Sequence, residues 1–325
     1  MDLVALAGQN LGTPMVLAFA LGFLAALARS DLSVPEAAAK FLSIYLLFAI
    51  GFKGGVAVSE AGLTASLALA LVAGVALSAV IPFVAFALLR AATRLDPVDS
   101  AAVAAHYGSI SIVTFVAASA ALASLGLSHE GYMVAVAASM EAPAILTALW
   151  LARRARPSAP DAEEGQVLRE ILLNGSIVLL VGAFAIGWIT GTEGHVQIAP
   201  FIDAPFKGIL CIFLLDMGLV AGRGMRQSAH LLGAPVIVFG FVMPLIGAAI
   251  ALPVALMLGL SVGGVAILMT LSASASYIAV PAAMRVALPE ANPSIYLTLA
   301  LGITFPFNLT LGIPIYVAVA GFFTG

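Results

Sequence analysis

The sequence has 325 residues, of which 62% are hydrophobic and only 9% charged, and its formal net charge is −3. Soluble domains carry roughly 25% charged residues, so this composition excludes a water-soluble globule. The sequence has no basic cluster typical of a nucleic-acid-binding surface, and its single cysteine, Cys211, excludes an internal disulfide or a cysteine-based metal cluster.

Long apolar runs predict membrane-spanning helices along the whole chain. A span needs about 20 apolar residues, and a helix satisfies its own backbone polar groups in hydrocarbon. We therefore predict an all-α polytopic membrane protein of ten transmembrane helices. The predicted spans are residues 10–28, 36–54, 62–90, 99–126, 130–152, 168–190, 201–222, 228–258, 262–288 and 293–323.

One strongly polar stretch interrupts this pattern after the fifth span. It predicts a first five-helix repeat over residues 1–152, a cytoplasmic linker over 153–167 and a second five-helix repeat over 168–325.

The basic residues predict the orientation of these spans. Lys53 and Lys207 lie in even-numbered loops, at span edges, whereas the other eleven of the thirteen basic residues lie in or beside odd-numbered loops. Cytoplasmic loops are enriched in Lys and Arg, so the odd-numbered loops are predicted to be cytoplasmic and both termini to lie outside. The eleven residues are Arg29, Lys40, Arg90, Arg94, Arg153, Arg154, Arg156, Arg169, Arg223, Arg226 and Arg285.

The two halves align at a constant offset of 163 residues. The matched pairs are Gly12-Thr13 with Gly175-Ser176, Lys53 with Asp216, Gly55 with Gly218, Glu60 with Arg223, Ser109 with Ser272, Ser111 with Ser274 and Pro143 with Pro306. Because five spans is an odd number, the second repeat must be inverted relative to the first. Inverted repeats are typical of secondary transporters, which bind substrate at the repeat interface near the midplane.

Paired serine clusters predict a break in the fourth and in the ninth helix. Ser109 and Ser111 follow Gly108 in the fourth, and Ser272, Ser274 and Ser276 lie in the ninth. Each cluster begins about ten residues into its span, or roughly half of a hydrocarbon core that is about 30 Å thick. A helix that restarts there exposes free amide groups and a partial positive charge. Two restarts from opposite faces predict a site for a small anion.

Carboxylates within the spans predict a site for a cation. Asp216 lies in the seventh span and Glu141 in the fifth, where an ionised side chain costs roughly 2.5–3.5 kcal/mol without a partner. Thr304 and Asn308 flank Pro306 in the tenth span and offer further oxygen ligands. Sodium prefers such ligands, so these four residues are the predicted sodium site, with no other metal and no cofactor.

Four segments resemble the sodium-dependent bicarbonate transporters of cyanobacteria and other bacteria. They are Phe41–Gly55 (FLSIYLLFAIGFKGG), Ala105–Ser109 (AHYGS), Ser274–Arg285 (SASYIAVPAAMR) and Ala287–Tyr296 (ALPEANPSIY).

The resemblance implies sodium-coupled bicarbonate uptake at the plasma membrane by a homotrimer of ten-helix chains in two inverted halves. It also places bicarbonate between the two broken helices. The implied anion-binding residues are Gly108, Ser109, Ile110, Ser111, Ser272, Ala273, Ser274 and Ser276. Cyanobacterial members are inhibited by a cytosolic PII-like protein, but the polar linker here is shorter than theirs, which leaves such a regulator uncertain.

Three alternatives remain open at this point. A sodium-coupled carrier of an organic anion would keep the architecture and change the cargo, whereas an anion channel would need no ion coupling. An intramembrane enzyme is disfavoured, because His106 and the nearby serines have no third group to orient them. We therefore expect a transporter and not an enzyme.

Overall fold

A computed structural model describes residues 11–62, 64–155, 173, 175–228, 232–277, 280–281, 283–284 and 288–324. Most of the predicted linker at 153–167, and with it the predicted domain boundary, lies outside these residues. The helices are α1 (Pro14–Leu27), α2 (Glu36–Ala61), α3 (Ala65–Ala92), α4 (Pro97–Gly108), α5 (Ile112–Ser124), α6 (Met133–Ser139), α7 (Glu141–Ala155), α8 (Gly175–Ile202), α9 (Phe206–Ser228), α10 (Ala234–Met257), α11 (Val262–Ala273) and α12 (Pro293–Thr324).

The prediction of an all-helical membrane protein is confirmed. No strand occurs among the described residues. In the described part of the chain, seven helical segments are long and apolar enough to cross a membrane, counting α4 with α5 and α6 with α7 as one segment each. Helices α1 and α11 are shorter and also apolar. The count of ten spans stays a prediction.

Capping residues in the sequence set where several helices begin. Asp96 accepts hydrogen bonds from the amides of Val98 and Asp99 at 2.8 and 2.9 Å, and Pro97 occupies the first position of α4. Asn292 caps α12 in the same way, with Pro293 next. A side-chain oxygen followed by proline satisfies free amides and presets the helical backbone, so these starts are encoded locally.

Glycines bring α1 and α2 into close contact with α9 and α8 of the second half. Helix α1 packs along α9 and α2 along α8, more extensively than any other pair of helices. A Cβ at Gly55 would lie 1.9 Å from the carbonyl oxygen of Phe184, and a Cβ at Gly218 would lie 2.1 Å from that of Phe19. Only glycine permits such a backbone approach, so both helix pairs depend on glycine at these positions.

The helices therefore form two packed groups. Helices α1, α2, α8 and α9 form one, which we call the four-helix group. Helices α3 to α7 and α10 to α12 form the other, which we call the broken-helix group because it contains both serine clusters. The main contacts between the groups run from α2 to α6, from α8 to α6 and from α9 to α12.

A charged cluster inside the four-helix group joins α2 to the turn between α8 and α9. Lys53 Nζ lies 2.6 Å from Asp203 Oδ1, and His195 Nε2 lies 3.0 Å from Asp203 Oδ2. Burial raises the pKa of Asp203, but the hydrogen bond and charge of Lys53, together with His195, outweigh it and lower the pKa below its ordinary value. Lys53, which the sequence placed at a span edge, is therefore paired within the protein.

Candidate anion and sodium site

Both serine clusters interrupt their helices where the sequence predicted it. Helix α4 ends at Gly108, Ser109 is extended (φ −81°, ψ 170°), and α5 begins at Ile112. We call residues 109–111 the first break. Helix α11 ends at Ala273 and Ser274 is likewise extended (φ −84°, ψ 164°). We call residues 274–277 the second break. Residues 280–281 and 283–284, which follow it, are helical.

The two breaks contact each other directly. The amide of Ser111 donates to Ser274 Oγ at 2.9 Å, and the amide of Ser276 donates to the carbonyl oxygen of His106 at 2.7 Å. Ser111 and Ser274 are separated by 163 residues, which is the offset of the internal repeat. All the serines of both clusters are buried. The structure thus brings into contact two residues that the sequence related only through the 163-residue offset of the repeat.

Two carboxylates at the far ends hold the broken helices side by side. The amide of Ser261, at the start of α11, donates to Glu130 Oε1 in the loop after α5 at 2.7 Å. The amide of Asn292, which lies beyond the second break, donates to Asp99 Oδ1 near the start of α4 at 2.7 Å. Each broken helix therefore begins beside the loop that follows the other, so the two run in opposite directions.

The first break offers several hydrogen-bond donors to an anion. Ser111 caps α5 by accepting from the amide of Thr114 at 3.2 Å. The amides of Ile112 and Val113 stand before any helical acceptor, as in the first turn of every α-helix, and the partial positive charge of the helix start lies there too. Near the end of α11, the hydroxyl of Ser272 is buried and has no hydrogen-bond partner among the described residues. Unpaired buried hydroxyls are rare and point to a missing ligand or water.

Glu141 lies at the first break, although 32 residues separate it from Ser109 along the chain. Glu141 Oε2 accepts a hydrogen bond from Ser109 Oγ at 2.9 Å, and only 7% of the Glu141 surface is exposed. Met140 separates α6 from α7, so Glu141 is the first residue of a new helix rather than the middle of a long one.

Ser78 of α3 lies at the junction between α6 and α7. Its hydroxyl donates to the carbonyl oxygen of Met140 at 2.5 Å and accepts from the amide of Ala144 at 3.1 Å. An uninterrupted helix would join those two backbone groups directly, so the hydroxyl is inserted into the helical ladder. Ser78 therefore fixes the turn on which Glu141 stands.

Helix α12 places one polar side chain beside each break, next to the last residues of α11 and of α4. Asn308 Nδ2 donates to the carbonyl oxygen of Ala273 at 2.8 Å, and Asn308 Oδ1 accepts from Tyr316 OH at 2.8 Å. Thr304 Oγ1 is hydrogen-bonded to Tyr107 OH and donates to the carbonyl oxygen of Gly240 at 2.8 Å. Two π-helical turns, Ala300–Thr304 and Asn308–Gly312, place these side chains; π-helical turns occur frequently at functional sites.

Asp216, the fourth predicted sodium ligand, lies in the other helix group. It is buried on α9, and its electrostatic partner is Arg223, about two turns further along the same helix. Helix α9 packs against the first π-helical turn of α12, which carries Thr304. The predicted ligands thus divide into Glu141, Thr304 and Asn308 around the breaks and Asp216 across the boundary between the groups.

Sequence reasoning missed three residues of this site: Ser78, Tyr107 and Tyr316. Tyr107 lies next to Gly108, in the segment Ala105–Ser109 on which the family resemblance partly rests. That resemblance could have indicated Tyr107 as a site residue. Ser78 lies in an ordinary apolar span, and only the fold shows that it faces the junction at Met140.

Comparison with protein families identifies the chain. A model of the Na+-dependent bicarbonate transporter superfamily matches residues 14–321, which is nearly its whole length. The chain belongs to this superfamily. It is therefore a membrane transport protein and not an enzyme, as the sequence predicted. A search of curated proteins finds no match to it. Within the superfamily match lie both breaks, Glu141 and the two π-helical turns of α12.

Proposed function

We propose that this protein is a sodium-coupled symporter that carries bicarbonate into the cell by alternating access. The observation that carries the proposal is the direct contact of the two breaks, through the Ser111 amide and the Ser274 hydroxyl. Two helix interruptions that meet inside the membrane bring amide and hydroxyl donors to one point without a buried arginine. Such a site suits a small oxyanion.

The anion ligands in this proposal come from both breaks. The first-turn amides of α5 and the Ser272 hydroxyl supply donors, and Ser111, Ser274 and Ser276 already bond across the contact. The Ser111 and Ser276 amides would become ligands when their protein hydrogen bonds are exchanged for bonds to the anion. We assign this role to Gly108, Ser109, Ile110, Ser111, Ser272, Ala273, Ser274 and Ser276.

Sodium is proposed to bind beside the anion. Glu141, Thr304 and Asn308 offer a carboxylate, a hydroxyl and an amide oxygen close to the breaks, and these are ligands that a hard cation prefers. Asp216 would join them from the four-helix group, since α9 packs on the turn that carries Thr304. A ligand set divided between two groups couples sodium binding to their relative position.

The same packing supports the proposed architecture of ten spans in two inverted repeats. Under the 163-residue offset, α1 corresponds to α8 and α2 to α9, so the α1–α9 pair corresponds to the α2–α8 pair. Each pair joins a helix of the first half to a helix of the second, so the four helices form one unit. We propose that this four-helix group moves against the broken-helix group. Both termini would face outward at the plasma membrane. A homotrimer and a PII-like regulator rest on the resemblance alone.

Uptake of labelled bicarbonate into proteoliposomes tests the proposal. Uptake is expected to require an inward sodium gradient and to be lost in Ser274→Ala, which removes the hydroxyl that joins the breaks. Ser124→Ala is the matched control, since Ser124 is exposed and its hydroxyl donates within its own helix, to the carbonyl oxygen of Ala121. Flux without sodium would favour a channel, and competition by carboxylates would favour an organic-anion carrier. Either result would reject bicarbonate symport.

A further inference from the structure

A cavity with several polar lining residues lies away from the breaks, between α9 and the start of α12. Its volume is about 340 Å³, and its polar lining comes from Arg223, Gln227, Ser294 and Thr298. Helix α9 packs against the first turns of α12 beside it. The cavity therefore lies on the boundary between the four-helix group and the broken-helix group. We call it the Arg223 cavity.

The charge of this cavity is set by one arginine that is held in place. Arg223 Nη2 donates to the carbonyl oxygen of Leu32 at 2.9 Å, which ties the side chain to the loop between α1 and α2. A guanidinium has five N–H donors, so this bond leaves several for the cavity. Within the described part of the chain Arg223 makes no ion pair, and Asp216, about two turns away on α9, acts on it only through space.

The neutral polar groups of the cavity are hydrogen-bond donors, as the guanidinium is, and so suit the same kind of ligand. The hydroxyls of Ser294 and Thr298 and the amide of Gln227 all supply hydrogen-bond donors. An arginine beside neutral donors suits a planar or tetrahedral oxyanion.

We propose that the Arg223 cavity is a binding site for a small oxyanion, separate from the site at the breaks. Arg223 and Arg226 both lie near the end of α9, on the side of the membrane where most of the basic residues are predicted, which the positive-inside rule makes cytoplasmic. That orientation rests on the proposed function, whereas anion binding itself does not. The occupant is either a free anion, such as bicarbonate leaving the central site, or the phosphate of an anionic lipid.

Titration calorimetry with inorganic phosphate tests this proposal. The full chain is placed in nanodiscs of phosphatidylcholine, without sodium, so that neither transport nor an anionic lipid contributes. Saturable phosphate binding is expected, and Arg223→Gln is expected to weaken it at least tenfold. Thr298→Val, which removes one hydroxyl at nearly constant volume, should weaken it by a smaller factor.

Arg226→Gln is the matched control. Arg226 belongs to the same helix, but its guanidinium donates to the carbonyl oxygen of Ala26 and does not line the cavity. Phosphate binding that is absent, or that both arginine variants weaken equally, would overturn the proposal. Size-exclusion profiles show whether each variant is folded, and Thr298→Val keeps the test decisive if Arg223→Gln is not.

Two competition arms identify the occupant. If bicarbonate displaces phosphate in these nanodiscs, the cavity binds the free anion. If instead phosphatidylglycerol added to the nanodiscs raises the apparent Kd for phosphate, the cavity binds a lipid headgroup. Ser274→Ala is expected to abolish sodium-driven uptake and to leave phosphate binding unchanged, so a failure of the transport proposal and a failure of this one are distinguishable.

Discussion

Replacing Ser78 with alanine isolates the contribution of a single hydroxyl to the sodium site. That hydroxyl bridges the Met140 carbonyl and the Ala144 amide and is fully buried. The alanine variant leaves one buried acceptor and one buried donor without this partner. An unsatisfied buried backbone group costs about 1–3 kcal/mol, although part of this cost is recovered if α6 and α7 relax into one continuous helix.

That relaxation is what makes the variant informative. A continuous helix would move Glu141 from a helix start, where Ser109 donates to it at 2.9 Å, into a helix interior. If about 1.4 kcal/mol of the cost falls on the sodium-bound state, sodium binds roughly tenfold more weakly. We therefore expect Ser78→Ala to lower thermal stability and to raise the sodium concentration that gives half-maximal uptake.

Ser139→Ala is the control for this measurement. Ser139 lies in α6, next to Met140, but its hydroxyl donates to the carbonyl oxygen of Val136 within its own helix. Proteoliposome uptake at varied sodium and thermal unfolding of the purified protein are the two assays. If Ser78→Ala matches Ser139→Ala in both, the inserted hydroxyl does not position Glu141 and this reasoning is refuted.

Two further variants test the packing and the charged cluster. Gly55→Ala should destabilise the protein by about 1–3 kcal/mol or more in thermal unfolding, because its Cβ would lie 1.9 Å from the Phe184 carbonyl oxygen, whereas Gly208→Ala meets no atom within 4 Å and should be neutral. Asp203→Asn should cost about 1 kcal/mol or less at neutral pH, since the pair with Lys53 is partly exposed. Because the folded-state pKa of Asp203 is lowered, this difference should disappear as the pH falls through that pKa; a pH-independent difference would contradict its electrostatic origin.

The breaks were predictable because their cause is local. Glycine and clustered serines favour helix ends and caps over helix interiors, and both clusters occur at one repeat offset. Gly108 also has a tertiary reason to be glycine, since a Cβ there would lie 2.3 Å from the ring of Pro82. That contact depends on how α3 crosses α4, which the residues around Gly108 do not encode by themselves.

The partners of the site were harder to predict because they depend on tertiary packing. Glu141 and Asp216 look alike in the sequence, as single carboxylates in apolar spans, yet only Glu141 reaches a break. Asp216 is drawn into the four-helix group because glycines let α9 pack on α1. The packing of helices from one half against helices of the other sets the positions of the two carboxylates. No local sequence pattern reveals that packing.

A cryo-EM map of the protein with sodium bicarbonate tests the central claim most directly. The account predicts density for a planar anion between Ser109–Ser111 and Ser272–Ser276, with a cation beside it near Glu141, Thr304 and Asn308. A map in which these breaks stay joined and empty, while bicarbonate density occurs only elsewhere, would contradict it.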